Sequence, residues 1–333
     1  MTAIYLKSIK NLFQNEEIIN FEFIQGLKIY DITNISSKNK NYKKRPYVLY
    51  KGIKNNEKII IKILIRENYQ KFYQRELFIY KYLIEFFPRL KNIIPELINY
   101  GKNPFYMIIK YYDDFLPLGE SNILKTKLNT QELRLILEII DSLHLPESEI
   151  EKKIDKLKLK KIFQVNESFS FYFKRYLKET KKTLINIIGE KEIEKLEKFF
   201  LKTRPIFNQT EKYFSWGDAN PSNILIKKKN NSVQFKFIDF EKVDYSPIFR
   251  DYTTLFYSFY LTNENLALFI KNWLKNKYSS NDFWIFFYFK LLIYSLPRQF
   301  VNFNLSKDYQ KQKKVIQLVK IFLKDYYLSF NHQ

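Results

Sequence analysis

The 333-residue chain has no cysteine, only two histidines and only six glycines. Without cysteine there is no disulfide, no cysteine nucleophile and no thiolate metal centre. With His144 and His332 alone, histidine-rich metal sites are excluded as well. A Ser-His-Asp hydrolase would depend on His144, because His332 lies where chains fray. His144 ends an apolar helical run, Leu133–Leu145, capped by Asn129 or Thr130, and reads as a packing histidine. No apolar run reaches the roughly 20 residues of a membrane-spanning helix. The nearest, Phe283–Leu296, contains Lys290 and is expected to stop at Pro297 as a buried helix. Met1–Phe13 carries lysines among short apolar pairs and shows no secretory pattern, so the expected compartment is the cytoplasm.

What the chain does contain argues for a folded protein. Hydrophobic residues make up 46% and aromatic residues 18%, too much for disorder. The length allows a sizeable core and two lobes or domains. The net charge of +22 raises the prospect of a nucleic-acid partner. The lysines are scattered, however. The densest cluster, Glu151–Lys161, interleaves Ile154, Leu157 and Leu159 with its charges and reads as a solvated helix face. No zinc-finger pattern, aromatic RNA-binding motif or internal repeat emerges. Pro146 and Pro205 are expected to end helical segments, and Leu184–Phe200 and Asn263–Trp273 to form amphipathic helices.

The most specific signal is Trp216-Gly217-Asp218-Ala219-Asn220-Pro221-Ser222-Asn223, followed by Phe237-Ile238-Asp239-Phe240-Glu241. Gly217 frees the backbone to turn, and Pro221 forbids a regular element through the next residues. A short stiff loop can then aim Asp218 and Asn223 the same way. Asn223–Ile226 reads as a strand start, Lys227–Ser232 as a polar turn, and Val233–Ile238 as a half-buried alternating strand. Such a hairpin is expected to return Asp239 beside Asn223. Two oxygen ligands of this kind suit Mg²⁺, which takes few protein ligands plus phosphate and water oxygens. Phosphoryl transfer from a nucleotide needs this set: a carboxylate for the proton of the attacking hydroxyl, and oxygens for the metal.

Further upstream, Lys58–Ile65 is the best strand of the first hundred residues, and Lys62 interrupts its apolar run. A buried lysine needs an anionic partner. Glu76 follows within Tyr69–Leu83, where Phe72, Leu77, Tyr80 and Leu83 recur near helical spacing. Gly26–Ile32 and Arg45–Tyr50 read as the first two strands, and the polar loop Thr33–Asn41 between them contains no glycine. Phe105–Tyr112 reads as a further strand, broken at Asp113-Asp114.

The segment from Ser215 to Tyr252 resembles the catalytic loop and metal segment of the aminoglycoside phosphotransferase and choline kinase family, with Trp216 where the family often has histidine. The resemblance implies an α+β, two-lobed, protein-kinase-like fold with a small antiparallel-sheet N-lobe and a mostly helical C-lobe. It implies a lead over 1–25, a nucleotide-binding lobe over 26–112 and a catalytic, acceptor-binding lobe over 113–333. Asp218 resembles the catalytic base. Asn223 and Asp239 resemble metal ligands, and Glu241 the trailing acidic position. Lys62 resembles the lysine that meets the α- and β-phosphates, paired with Glu76. Asp251 resembles the aspartate that anchors a following helix start, a place where a plain N-cap is also expected. ATP and Mg²⁺ are the cofactors implied.

The leading expectation is therefore an ATP- and Mg²⁺-dependent phosphotransferase acting on a hydroxyl of an amino sugar, a sugar or an amino alcohol. The aromatic residues Trp273, Trp284, Tyr288 and Tyr294 would supply rings to such an acceptor or simply pack the core. The alternative is a basic nucleic-acid-binding or scaffolding protein on a degenerate kinase-like fold. A third reading, a kinase acting on protein serine or threonine, is opposed by the lack of a recognisable activation segment after Asp239 in this sequence.

Overall fold

The structure is a computed structural model. It describes residues 29–34, 46–86, 88–102, 104–120, 123–152, 163, 169–229, 232–246 and 249–330. The chain divides into two compact units. One comprises Met1–Leu116 with Lys236–Glu241, the other Pro117–Phe235 with Lys242–Gln333. The fold is α+β, with a small antiparallel sheet in the first unit and mostly helices in the second.

The first unit is built on five strands: β1 (Tyr30–Asn34), β2 (Tyr47–Lys54), β3 (Glu57–Leu64), β4 (Leu97–Lys102) and β5 (Phe105–Lys110). Their order is β1-β2-β3-β5-β4, with every pairing antiparallel. Asn55 and Asn56 join β2 to β3 with φ of 49° and 63°, the left-handed pair that matches strand twist in a two-residue hairpin. Successive β3 side chains alternate faces. Ile59, Ile61 and Ile63 enter a core with Ile29, Tyr50, Tyr106 and Ile108. Each such burial contributes about 1.5–3 kcal/mol. Lys62, one step out of phase, is thereby committed to the other face.

The helix Gln70–Phe78 supplies the partner for that face. Its buried residues are Tyr73, Arg75, Glu76 and Phe78, whereas Phe72 and Leu77 of the expected stripe are only half-buried. A tyrosine and a glutamate replace apolar residues because each is satisfied. The Tyr73 hydroxyl lies 2.8 Å from the Tyr106 carbonyl and 2.9 Å from that of Gly101. Thr33 and Asn34, expected in the glycine-free loop, belong to β1. The rest of that loop, the lead over 1–25 and most of Glu151–Lys161 lie outside the described residues.

In the second unit the long helices follow their capping signals. Thr130–Leu143 starts at a capping box between Asn129 and Glu132, and Glu264–Lys277 starts at Asn263. The Leu184–Phe200 region is two helices, Lys181–Ile188 and Glu190–Gln209, because Gly189 breaks it at φ 85°. Pro205 does not end a helix but lies inside Glu190–Gln209.

Pro297 does not stop its segment either. Helix Asn281–Lys290 passes through a widened π turn, Leu291–Ser295, into helix Leu296–Leu305. A proline offers no N–H to the carbonyl four residues earlier. Here that carbonyl, on Ile293, accepts the Thr180 hydroxyl at 2.7 Å instead. No described helix is long and apolar enough to cross a membrane.

A three-stranded miniature sheet organises the middle of this unit. Tyr213–Ser215 lies between Leu145–Pro146 and Asp244–Ser246, all antiparallel. Strands Ile224–Lys229 and Ser232–Phe237 then pair, so Lys227–Lys229 belong to a strand rather than to the expected turn.

Candidate active site

Four of the charged residues meet in the first unit. Lys62 Nζ lies 2.6 Å from Glu76 Oε2, 3.1 Å from Asp239 Oδ1 and 3.7 Å from Glu241 Oε2. Burial of Lys62 disfavours its charge, but Glu76, Asp239 and Glu241 overcome that and hold its pKa well above the ordinary lysine value. Burial pushes Glu76 up to about 7 against the pull of Lys62, with Asp239 adding to the rise. Tyr47 closes over this cluster. Its ring stands 4.2 Å from Lys62 Nζ, and its buried hydroxyl has no partner among the described residues.

Asp239 has a left-handed backbone, φ 61°, uncommon for a residue with a side chain. Strain of this kind, of order 1 kcal/mol, persists where the surroundings fix it. Here strand Ser232–Phe237 leads in, and the 3₁₀ turn Phe240–Lys242 leads out with Phe240 buried edge-on against Tyr80. Ligand oxygens of Glu76, Asp239 and Glu241 all lie within 4.8 Å of one another. An all-oxygen, all-acid donor set fits Mg²⁺. Glu76 is the member that sequence reasoning assigned only to the lysine.

The second unit holds Asp218 and Asn223. Gly217 has φ 80°, and a Cβ there would fall 2.5 Å from the Lys242 carbonyl oxygen and 2.9 Å from the Arg250 guanidinium carbon. Only glycine fits the turn that presents Asp218. Pro221 opens a 3₁₀ turn, Pro221–Asn223, capped by the Asn220 side chain accepting from Ser222 N. Asn223 is thereby aimed back at Asp218, its Nδ2 donating to both the Asp218 carbonyl and Oδ2 at 3.1 Å. Lys242 Nζ reaches Asp218 Oδ2 at 2.7 Å. Sequence reasoning missed Lys242, because one lysine among scattered lysines carries no signal.

Behind the loop stands Asp251. It lies in the first turn of helix Phe249–Thr262, yet its bonds leave the helix, so it is no plain N-cap. Its Oδ1 accepts from Gly217 N at 2.6 Å. Its Oδ2 accepts from Trp216 N at 3.0 Å, from the Ser215 hydroxyl at 2.8 Å and from His144 Nε2 at 3.0 Å. Burial opposes its ionisation, but these hydrogen bonds and the Arg250 charge outweigh burial and hold its carboxyl below the usual range. His144 is thus spent on bracing, and Trp216 is wholly buried as packing. Among the aromatic residues of the tail, Tyr288 is buried, Trp284 packs on Phe283, Phe287 and Tyr288, and Trp273 packs on Tyr252.

Each unit therefore gathers its own half of the predicted set: Lys62, Glu76 and Asp239 in the first, Asp218 and Asn223 in the second. No family sequence model and no curated protein sequence matches the chain. Solved structures do. Choline kinase LicA from Streptococcus pneumoniae is 13% identical, covers 93% of this chain and 99% of its own, and has a TM-score of 0.51. An aminoglycoside phosphotransferase solved with GDP and kanamycin is 12% identical, with coverage of 94% and 97% and a TM-score of 0.55. A spectinomycin phosphotransferase solved with ADP and spectinomycin is 8% identical, with coverage of 92% and 97% and a TM-score of 0.50. The chain has the protein-kinase-like fold of the aminoglycoside phosphotransferases and choline kinases.

Proposed function

We propose that the protein is a phosphotransferase that moves the γ-phosphoryl group of ATP to a hydroxyl of a small molecule. The observation that carries this reading is the pair of clusters: a buried lysine held by three carboxylates, and an aspartate presented by a glycine turn with an asparagine on its carboxylate. Phosphoryl transfer is catalysed chiefly by positioning and charge, and these are groups of that kind.

Asp218 orients the acceptor hydroxyl and takes its proton. The P–O bond to the β-phosphate breaks as the P–O bond to the acceptor oxygen forms, and ADP leaves. Lys62 positions the nucleotide phosphates, and Glu76 keeps it ionised and aimed. Asp239 and Asn223 are the metal ligands of this reading, with Glu241 beside Asp239. A bound Mg²⁺ supplies charge neutralisation to the phosphates.

The test is nucleotide consumption with ATP and GTP in Mg²⁺ across hydroxylated sugars, amines and acids, with Asp218→Asn as control. Turnover lost by at least about 100-fold in Asp218→Asn, at unchanged melting temperature, is expected. Equal rates in the variant refute the role of Asp218. Salt-dependent RNA or DNA binding without Mg-ATP binding selects the nucleic-acid reading instead.

A further inference from the structure

Tyr47 carries a buried oxygen that its own unit leaves without a bond, and the inference drawn from it rests on the phosphotransfer reading. Strand pairing sets Tyr47 opposite Leu64 and Leu49 opposite Lys62. Residues opposite one another share a face of the sheet, as do residues two apart along a strand. Tyr47 and Lys62 therefore stand on the same face. Tyr50, Ile61 and Ile63 take the other, in the core, with Val48 packed against them.

The ring is accounted for by its place 4.2 Å from Lys62 Nζ, a cation–π contact. The oxygen is not. Tyr47 is only 6% exposed, and among the described residues its hydroxyl bonds to nothing, although Glu76, Asp239 and Glu241 all gather at the same lysine. Burying a hydroxyl without a hydrogen bond is unfavourable. A phenylalanine would make the same ring contact without that cost. Burial pushes the phenol's pKa up, and the three carboxylates add to the rise against the pull of Lys62. The group is thus a neutral O–H donor beside a cation, a combination that suits an anion. Tyr47 is also the first residue of β2, and the loop before it, Thr33–Asn41, has no glycine to let backbone amides approach a phosphate closely. A side-chain donor next to Lys62 serves the same end.

We propose that Tyr47 is a nucleotide-positioning residue, its hydroxyl donating to a phosphate oxygen of the nucleotide held at Lys62. The hydroxyl contacts the phosphates alone and plays no part with the base or the acceptor.

The experiment compares wild type with Tyr47→Phe, which keeps the ring over Lys62 and removes only the oxygen. Calorimetry measures binding of Mg-ATP or Mg-GTP, whichever the wild type takes, and of the matching nucleoside by competition; melting without nucleotide reads the fold. Triphosphate affinity lowered about tenfold or more, nucleoside affinity unchanged, and a melting temperature equal to or above that of wild type are expected. Deleting an unpaired buried hydroxyl costs the fold nothing, whereas a structural hydroxyl would lower the melting temperature. Equal triphosphate affinity in the two proteins overturns the inference and leaves phosphotransfer standing. So does a loss shared equally by triphosphate and nucleoside. A wild type that binds neither Mg-ATP nor Mg-GTP overturns the phosphotransfer reading, and this inference with it.

Discussion

Asp251 holds Gly217 by its backbone: the carboxylate accepts that N–H at 2.6 Å across 34 positions of sequence. The same carboxylate takes Trp216 N, the Ser215 hydroxyl and His144 Nε2, so one buried charge fixes the approach to Asp218. Replacing it leaves several buried donors unmet.

Asp251→Asn puts an NH₂ group where two backbone N–H groups and two side-chain donors already point. A loss of about 3 kcal/mol is expected, from the cost of unmatched buried donors. Chemical denaturation measures it directly, and a loss under 1 kcal/mol contradicts the bracing role.

The same residue sets an acid limb. Its folded pKa is depressed, so its contribution is complete above the unfolded carboxylate range near pH 4 and disappears as pH falls through the lower folded value. Wild-type stability is expected to fall below about pH 4 more steeply than that of Asp251→Asn. Parallel curves from pH 6 to pH 2 rule this out.

Gly217→Ala adds a Cβ 2.5 Å from the Lys242 carbonyl oxygen and holds an L-residue at φ 80°. Strain and clash together are expected to destabilise the protein by at least about 2 kcal/mol and to cut turnover by displacing Asp218. Thermal melting and acceptor turnover read the two effects separately.

Glu76→Gln keeps shape and removes charge. Lys62 retains Asp239 and Glu241 but loses the negative charge of its 2.6 Å partner. Losing one side of a buried pair destabilises by about 3 kcal/mol. A rise in nucleotide KM of about tenfold is expected beside it, and an unaltered KM with lowered stability marks Glu76 as structural alone.

The local spacing of residues made much of this legible. The β-branched run Lys58–Ile65 foretold a strand interrupted by Lys62, and the structure adds that Ile59, Ile61 and Ile63 share one face while Lys62 takes the other. Gly217 and Pro221 foretold a stiff loop, because each restricts or frees its own φ. The role of Asp251 was only half legible, since its partners at 144 and 215–217 come from distant sequence and nothing local separates it from an N-cap. Lys242 was silent because one lysine among many scattered lysines carries no local mark of its contact with Asp218. Tyr73 was passed over because a hydroxyl hides its burial until carbonyls of Gly101 and Tyr106 are seen to receive it.

The Thr180 hydroxyl on the Ile293 carbonyl makes two remote positions interdependent. Thr180→Val strands a buried oxygen that Pro297 cannot serve, whereas Pro297→Ala restores an amide able to reach it. The double variant should therefore be more stable than Thr180→Val alone, by about 1 kcal/mol. A threonine in one helix would then be what licenses an imino acid in another, and any relative that loses the threonine should lose the proline with it.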